Sequence, residues 1–491
     1  MLFQRLEIIV LEGGGALPWY LRLPARSRHE GGSLMKQCTA RENMSRRTFL
    51  ASAAALSAAS CATAPHIVTS AAAAKTPANE RLNLGAIGFG GMGAVNIRNL
   101  SGEQFVALCD VDSAYAKPVF EAFPDARRYV DYREMLAAES GLDGVVIATP
   151  DHTHAVIAMA AIKAGKHVFC QKPLAHDVYE CRMLAQAAAE AGVVTQMGIQ
   201  GHAGNGTRTV VESIQAGVIG EVREVHAFCS DSYYPWGHAG WSPKDGRVPE
   251  EAMSVPETLN WDLWLGPAAA RPYHSCYHPM AWRAFQAFGS GWMADRGAHS
   301  LDPVKWALNL GHPSRISATS TGTTDEMHPV SAIVTFEFPK RGKMPPVSVT
   351  WYTGLHIPRP AGVPVGEQIG DPTGGILFVG SDGMMTCDTY GERPRLLPEA
   401  RMKKFKAPEP SIPRIEGESI EGDWVRAIRN GTKACADFSY SGPLSEICAL
   451  GNIAKRFDDT PIEWDNDRMT VTNLDDANQY VRTPYREGWS L

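Results

Sequence analysis

Asp295, His299 and Asp302 stand at i, i+4 and i+7, one face of the chain if that segment is helical. An acid one turn from a histidine can fix the imidazole tautomer and leave the other nitrogen for proton transfer. Such a pair suits removal of a hydroxyl proton while hydride leaves the same carbon. On spacing alone, a capping Asp and a packed His explain the pattern equally well. Asp302 is as well explained by helix stabilisation as by catalysis.

A second chemical signal is Gly88-Phe-Gly90-Gly-Met-Gly93, followed 22 residues after Gly88 by Asp110. Glycines at this spacing permit a tight turn and a close approach of backbone to a pyrophosphate, which then faces a helix N-terminus. An acid at this separation accepts hydrogen bonds from the adenosine ribose hydroxyls. That favours NAD over NADP, although the local sequence leaves NADP open.

The elements that must position these groups alternate. Leu82–Phe89, Phe105–Cys109, Leu142–Ala148, His167–Cys170 and Val193–Met197 read as strands. Helical patterns follow the first to Leu100, then run over His154–Ala164 and about Asp177–Ala191. The rhythm predicts a doubly wound parallel sheet of the Rossmann type, with ligands beyond the carboxyl ends of its strands. The loops at Thr149–His154 and Gln171–Pro173 should therefore border a nicotinamide. Further strands are expected at Glu221–Cys229, Ser331–Phe338, Val347–Tyr352 and Gly375–Val379, and amphipathic helices at Glu421–Asn430 and Pro443–Arg456.

The fingerprint Gly88–Gly93, Asp110, Ala148-Thr149-Pro150-Asp151-His152, Gln171-Lys172-Pro173 and Asp295-Arg-Gly-Ala-His299-Ser-Leu-Asp302 resemble the Gfo/Idh/MocA family, that of glucose–fructose oxidoreductase and inositol dehydrogenase. The resemblance runs from about residue 81 onward and is nearest to an exported bacterial branch. It implies an α/β chain with two domains: an NAD(P)-binding Rossmann domain at 79–200, and an α+β substrate and oligomerisation domain at 201–491. The second would carry a large open, mostly antiparallel sheet. It also implies Lys172, Asp295 and His299 as the catalytic set, with His299 the preferred base. Gly88, Gly90, Gly93, Asp110, Thr149, Pro150, His152, Gln171 and Lys172 would hold the cofactor. The family usually has Glu-Lys-Pro where this chain has Gln171; one negative charge beside Lys172 is thereby lost, while the lysine is kept.

Seven of the 12 tryptophans fall within Asp231–Trp306. Aromatic faces stack on sugar rings, and Tyr, His and Arg bond hydroxyls or a carboxylate; Tyr234, His238, Tyr277 and Arg283 are the candidate substrate residues. Trp261 and Trp264 read as core. His152 and His154 could touch ligand or begin a helix. No carboxylate or cysteine at ligand spacing completes a metal site with them.

The chain has 491 residues, 44% of them hydrophobic and 20% charged, with a net charge of −6. No basic stripe exists to pair with nucleic acid or an anionic membrane, and beyond residue 80 no apolar run is long enough to span one. Ser45-Arg46-Arg47-Thr48-Phe49-Leu50 matches a twin-arginine export signal and precedes an Ala-rich stretch. Residues 35–78 are expected to be this signal and a linker, read by the Tat machinery. Residues 1–34 fit no part of it and are expected to be translation upstream of the true start. Lipid attachment at Cys61 is a weaker expectation, because the aliphatic residue three before it is missing. Ten cysteines without a C-x-x-C pair read as buried small hydrophobes.

These features point to a periplasmic NAD(P)-dependent oxidoreductase that acts on a sugar, sugar acid or cyclitol, forms a dimer or tetramer, and carries its dinucleotide tightly bound. Free dinucleotide is scarce outside the cytoplasm, so net dehydrogenation there needs a second substrate. Two alternatives remain: glycoside cleavage through transient oxidation of a ring hydroxyl, and a non-catalytic sugar-binding protein.

Overall fold

The computed structural model describes residues 80–491 apart from 234–236, 238, 239, 244–246 and 322. The expectations for residues 1–34, for the export signal at 35–78, and for Cys61, Tyr234 and His238 lie outside the described residues.

The first sheet is formed by β1 (Asn83–Ile87), β2 (Gln104–Cys109), β3 (Arg127–Tyr129), β4 (Gly144–Ile147), β5 (His167–Gln171) and β6 (Thr195–Gly198). Its order is β3-β2-β1-β4-β5-β6, every pair parallel. β4 is buried along its whole length, as a strand covered on both faces must be. The order reverses at β1, so the crevice for a ligand opens at its carboxyl end. The connecting helices are α1 (Met92–Asn99), α2 (Lys117–Ala122), α3 (Tyr132–Ala138), α4 (Asp151–Lys163) and α5 (Val178–Ala191). α5 starts in a capping box between Asp177 and Glu180 and stops at Gly192 in the left-handed conformation. β3 was invisible in the sequence because Arg-Arg-Tyr carries no apolar alternation.

After α6 (Asn205–Gln215) the chain enters a nine-stranded sheet made of β7 (Val222–Cys229), β8 (Arg315–Thr321), β9 (Ser331–Phe338), β10 (Val347–Thr353), β11 (Gly374–Gly380), β12 (Gly383–Cys387), β13 (Arg395–Leu397), β14 (Ile462–Asp465) and β15 (Thr470–Val471). Its order is β13-β12-β11-β7-β10-β9-β8-β14-β15. The pairs are antiparallel except β7 with β10. β9 alternates buried and half-buried residues, which leaves one face of the sheet to be covered by helices.

Between β7 and β8 lie α7 (Trp261–Leu265), α8 (Gly291–Asp295) and α9 (Gly297–Ala307). The single helical face expected for Asp295, His299 and Asp302 is broken: α8 ends at Asp295, and Arg296 (φ −99°, ψ −36°) joins it to α9. α10 (Ile420–Asn430) and α11 (Phe438–Ala454) follow β13.

Later parts of the chain complete the first sheet. Trp424 of α10 sits 5.8 Å from Phe169 on β5, ring to ring. Arg429 pairs with Glu103 at 2.8 Å, and Gln196 of β6 donates to Asp423 at 3.2 Å. The segment between β7 and α8 reaches the loop after β2: the Asn260 N–H donates to the Val111 carbonyl at 2.8 Å, and His278 pairs with Asp112 at 2.9 Å. Of the eight described cysteines, six are buried and two half-buried, and all are free thiols.

Candidate active site

The C-terminal edge of the first sheet, the β7–α8 segment and the last residues of the chain enclose a cleft of about 400 Å³, within the range of small-molecule sites. Gly88, Gly90, Asp110, Thr149, Pro150, Gln171, Lys172, Arg283, Asp295 and His299 all line it. Gly88 has φ +75°, and a Cβ there would lie 2.9 Å from the Thr149 backbone nitrogen. Gly93 does not line the cleft. A Cβ on it would stand 2.1 Å from the Gly88 carbonyl oxygen, so its lack of a side chain lets α1 close on β1. Gly91 caps α1 without a side-chain bond, which leaves the first N–H groups of the helix for an anion.

The Asp110 carboxylate accepts from the Phe89 N–H at 3.1 Å and the Asp112 N–H at 3.0 Å. Burial pushes its pKa up to about 6, against the opposing pull of those N–H groups. A glycine cradle, an open helix start and a carboxylate at the ribose position fit a dinucleotide.

Lys172 follows β5. It donates to the Asp295 backbone carbonyl at 2.8 Å and pairs with the Asp295 carboxylate. Burial alone would raise the Asp295 pKa, but Lys172, Arg283 and Arg296 hold it at about 2. Asp295 therefore stays ionised and serves Lys172, not His299 as the sequence spacing suggested. The His299 ring is 4% exposed and its Nδ1 is buried without a hydrogen-bond partner. Burial, with Lys172 and Arg296 outweighing Asp295, keeps the ring neutral at ordinary pH.

Several expected residues sit elsewhere. His152 turns inward, with its nitrogens 3.2 and 3.0 Å from the carbonyls of Phe288 and Trp264; burial drops its pKa to about 3. It is a core histidine that fixes the start of α4 and does not reach the cofactor cleft. Tyr277 is 4% exposed and packs against Trp261, Phe285 and Phe288, so it belongs to the aromatic core. Asp302 faces away from the cleft, accepting from His202 at 2.7 Å and Tyr440 at 2.6 Å. His154, whose role the sequence left open, lines the cleft and joins the Pro173 and Thr149 carbonyls at 2.8 and 2.9 Å. Gln171 donates to Asn96 at 3.0 Å, and Asn96 donates to Glu421 at 2.9 Å.

Sequence reasoning missed Tyr390, whose ring lies 4.8 Å from His299 and whose hydroxyl accepts from Arg296 at 2.9 Å. It missed Tyr115, whose ring lies against Gly90, and Trp489. None of the three falls in a recognisable motif. Arg283, which was expected, stacks its guanidinium 4.8 Å from the Trp241 ring and 4.3 Å from that of Trp282. Among the described residues, no group of three His, Cys, Asp or Glu is placed to hold a metal, and no helix is long and apolar enough to cross a membrane.

Residues 82–199 match the family model described as "Oxidoreductase family, NAD-binding Rossmann fold", and residues 205–338 its "C-terminal alpha/beta domain". The chain is similar to inositol 2-dehydrogenase 1 of Saccharopolyspora erythraea, 33% identical over 151 residues, which are 30% of this chain and 44% of that protein. It thus spans under half the length of that curated relative. Two solved structures share the fold. The WlbA dehydrogenase of Bordetella pertussis, in complex with NADH and UDP-GlcNAcA, gives a TM-score of 0.54 at 16% identity, covering 78% of this chain and 99% of that one. The inositol dehydrogenase homolog of Azotobacter vinelandii, complexed with NADH and myo-inositol, gives 0.51 at 17%, covering 78% and 98%. The cradle at Gly88–Gly93, the acid at Asp110 and these matches agree: the chain belongs to the Gfo/Idh/MocA family of oxidoreductases, with an NAD-binding Rossmann domain.

Proposed function

We propose that the protein is an exported oxidoreductase that removes hydrogen from a ring hydroxyl of a sugar, sugar acid or cyclitol. The observation that carries this reading is His299: an imidazole that burial keeps neutral, lining the cleft beside the Lys172–Asp295 pair. A neutral buried imidazole can accept the hydroxyl proton. The Lys172 ammonium, held in place by Asp295, stabilises the negative charge that develops on the same oxygen. Bound NAD supplies the hydride acceptor. The ionised Asp110 favours NAD, because it would repel a 2′-phosphate.

Ser45–Leu50 supports export of the folded protein by the twin-arginine route. The Asp112–His278 pair and the Asn260–Val111 hydrogen bond draw the β7–α8 segment over the cleft, which supports loading of the dinucleotide before export and its retention afterwards.

The test is to purify the exported protein, identify any bound dinucleotide by mass spectrometry, and add sugars, sugar acids, cyclitols and aryl glycosides. Absorbance of reduced cofactor that rises and persists supports dehydrogenation. Aglycone release without it would replace this reading with redox-neutral glycoside cleavage. His299→Ala should lower turnover by about 10²–10⁴-fold at unchanged dinucleotide affinity; unchanged turnover overturns the assignment. Replacing both Arg46 and Arg47 with Lys should leave the protein in the cytoplasm, and continued export would refute the Tat route.

A further inference from the structure

We propose that Trp489 forms the adenine subsite of the cleft, so that a segment following the second sheet latches the adenosine half of the cofactor. The inference rests on the dinucleotide reading above and adds a recognition residue that no motif marks.

Asp110 directly follows β2 and marks the adenosine ribose. Past it, the cleft is lined by Val111, by Val130 and Tyr132 after β3, by Leu263 of α7, and by Trp489, with Asp131, whose carboxylate is taken up by Arg133, as the charged residue among them. Apart from Asp131 these surfaces are apolar or aromatic, and the group joined to that ribose is a flat purine. Purine faces stack on indole with little need for polar partners. The Trp489 and Tyr132 rings stand 6.5 Å apart at 41°, splayed rather than stacked on each other. Arg133 lies 5.0 Å from the indole and is itself paired with Asp131 at 2.6 Å, so one side of the ring is backed by a fixed cation.

The segment that carries Trp489 is anchored on both flanks of the cleft. The Thr483 N–H donates to Asp177 at 2.8 Å and the Tyr485 hydroxyl to Glu180 at 2.6 Å, both at the start of α5. Arg486 donates to the Gly266 carbonyl and pairs with Asp262, each at 2.6 Å, beside α7. The indole is thus held by the anchors of its segment and by Arg486 itself, whose guanidinium lies 5.7 Å from the ring. That arrangement pre-organises a stacking platform and lowers the entropy lost on binding.

The test uses the full chain stripped of cofactor and titrated with ADP-ribose and with nicotinamide mononucleotide. Trp489→Ala should weaken ADP-ribose by roughly tenfold or more and leave nicotinamide mononucleotide unchanged, while Trp489→Phe should keep most of the affinity. Unchanged ADP-ribose affinity overturns the inference, as does an equal loss for both ligands, which would mark Trp489 as structural. Should Trp489→Ala fail to fold, photolabelling of the wild-type protein with 8-azido-ADP-ribose decides. Label within residues 483–491 supports the proposal, and label confined elsewhere overturns it. Wild-type protein that binds neither ligand overturns the dinucleotide reading, and this inference with it.

Discussion

Lys172 and Asp295, 123 residues apart in sequence, are joined twice, through the aspartate's carboxylate and through its backbone carbonyl. One end of the pair directly follows β5 of the first sheet and the other is the last residue of α8, before the helix break at Arg296. The electrostatics of the site depend on this tie. Asp295→Asn should cost about 3 kcal/mol of stability by leaving the lysine charge with a neutral partner. Turnover should fall by about 100-fold at retained dinucleotide affinity. Adding Lys172→Met should recover part of the lost stability, because no orphan charge remains; additive losses on denaturant unfolding would contradict this account.

Gly93 and Gly91 make a paired test of the cradle. A Cβ at Gly93 meets the Gly88 carbonyl at 2.1 Å, whereas one at Gly91 meets nothing within 4 Å. Gly93→Ala should weaken NAD by about tenfold or more, and Gly91→Ala should be tolerated unless its methyl meets the bound pyrophosphate. Titration of both variants with adenosine monophosphate, which lacks that pyrophosphate, separates the two effects. Wild-type affinity in Gly93→Ala would show that the loop does not need this close approach.

Asp302→Ala is expected to act on stability and not on binding. It strands the His202 nitrogen in the core, while the Tyr440 hydroxyl keeps only the Asp302 backbone carbonyl at 3.1 Å, at a cost of about 1–3 kcal/mol. A change in NAD affinity without a fall in Tm would return Asp302 to the site.

Gln171→Glu restores the residue the family usually carries, and it should not be neutral here. The Gln171 amide donates to Asn96, whose own amide is committed to Glu421. A carboxylate at 171 would face the Asn96 oxygen and cost roughly 1–3 kcal/mol. Equal melting temperatures for the variant and the wild type would mean that Asn96 can turn round.

His152 should contribute to acid sensitivity. Its folded pKa of about 3 lies below the unfolded 6.5, so between these values the unfolded chain binds the extra proton and stability falls as pH drops. The gap in unfolding free energy between wild type and His152→Gln should shift against the wild type by about 2 kcal/mol from pH 7 to pH 5. A pH-independent gap would refute the assignment.

What could be read from the sequence was local. The parallel sheet showed in strands that recur with helices between them, and Lys172 and His299 showed because short motifs surround them. Asp295 was found, but its partner was misjudged, because i, i+4 spacing cannot reveal that Arg296 ends one helix and begins another. His152 and Tyr277 looked like site residues by type, yet burial against backbone carbonyls and rings claims them. Tyr390 and Trp489 reach the cleft from loops with no periodic pattern, and only the tertiary fold brings them there.

The placement of α10 has a kinetic consequence. Trp424 covers Phe169, and a Cβ at Gly144 would lie 3.0 Å from the Trp424 ring, so this indole fills the flank of β4 and β5. The first sheet therefore cannot finish packing until residues about 250 positions later have left the ribosome. Its folding is governed by late, long-range closure, and the nascent chain carries an incomplete nucleotide sheet through most of its synthesis.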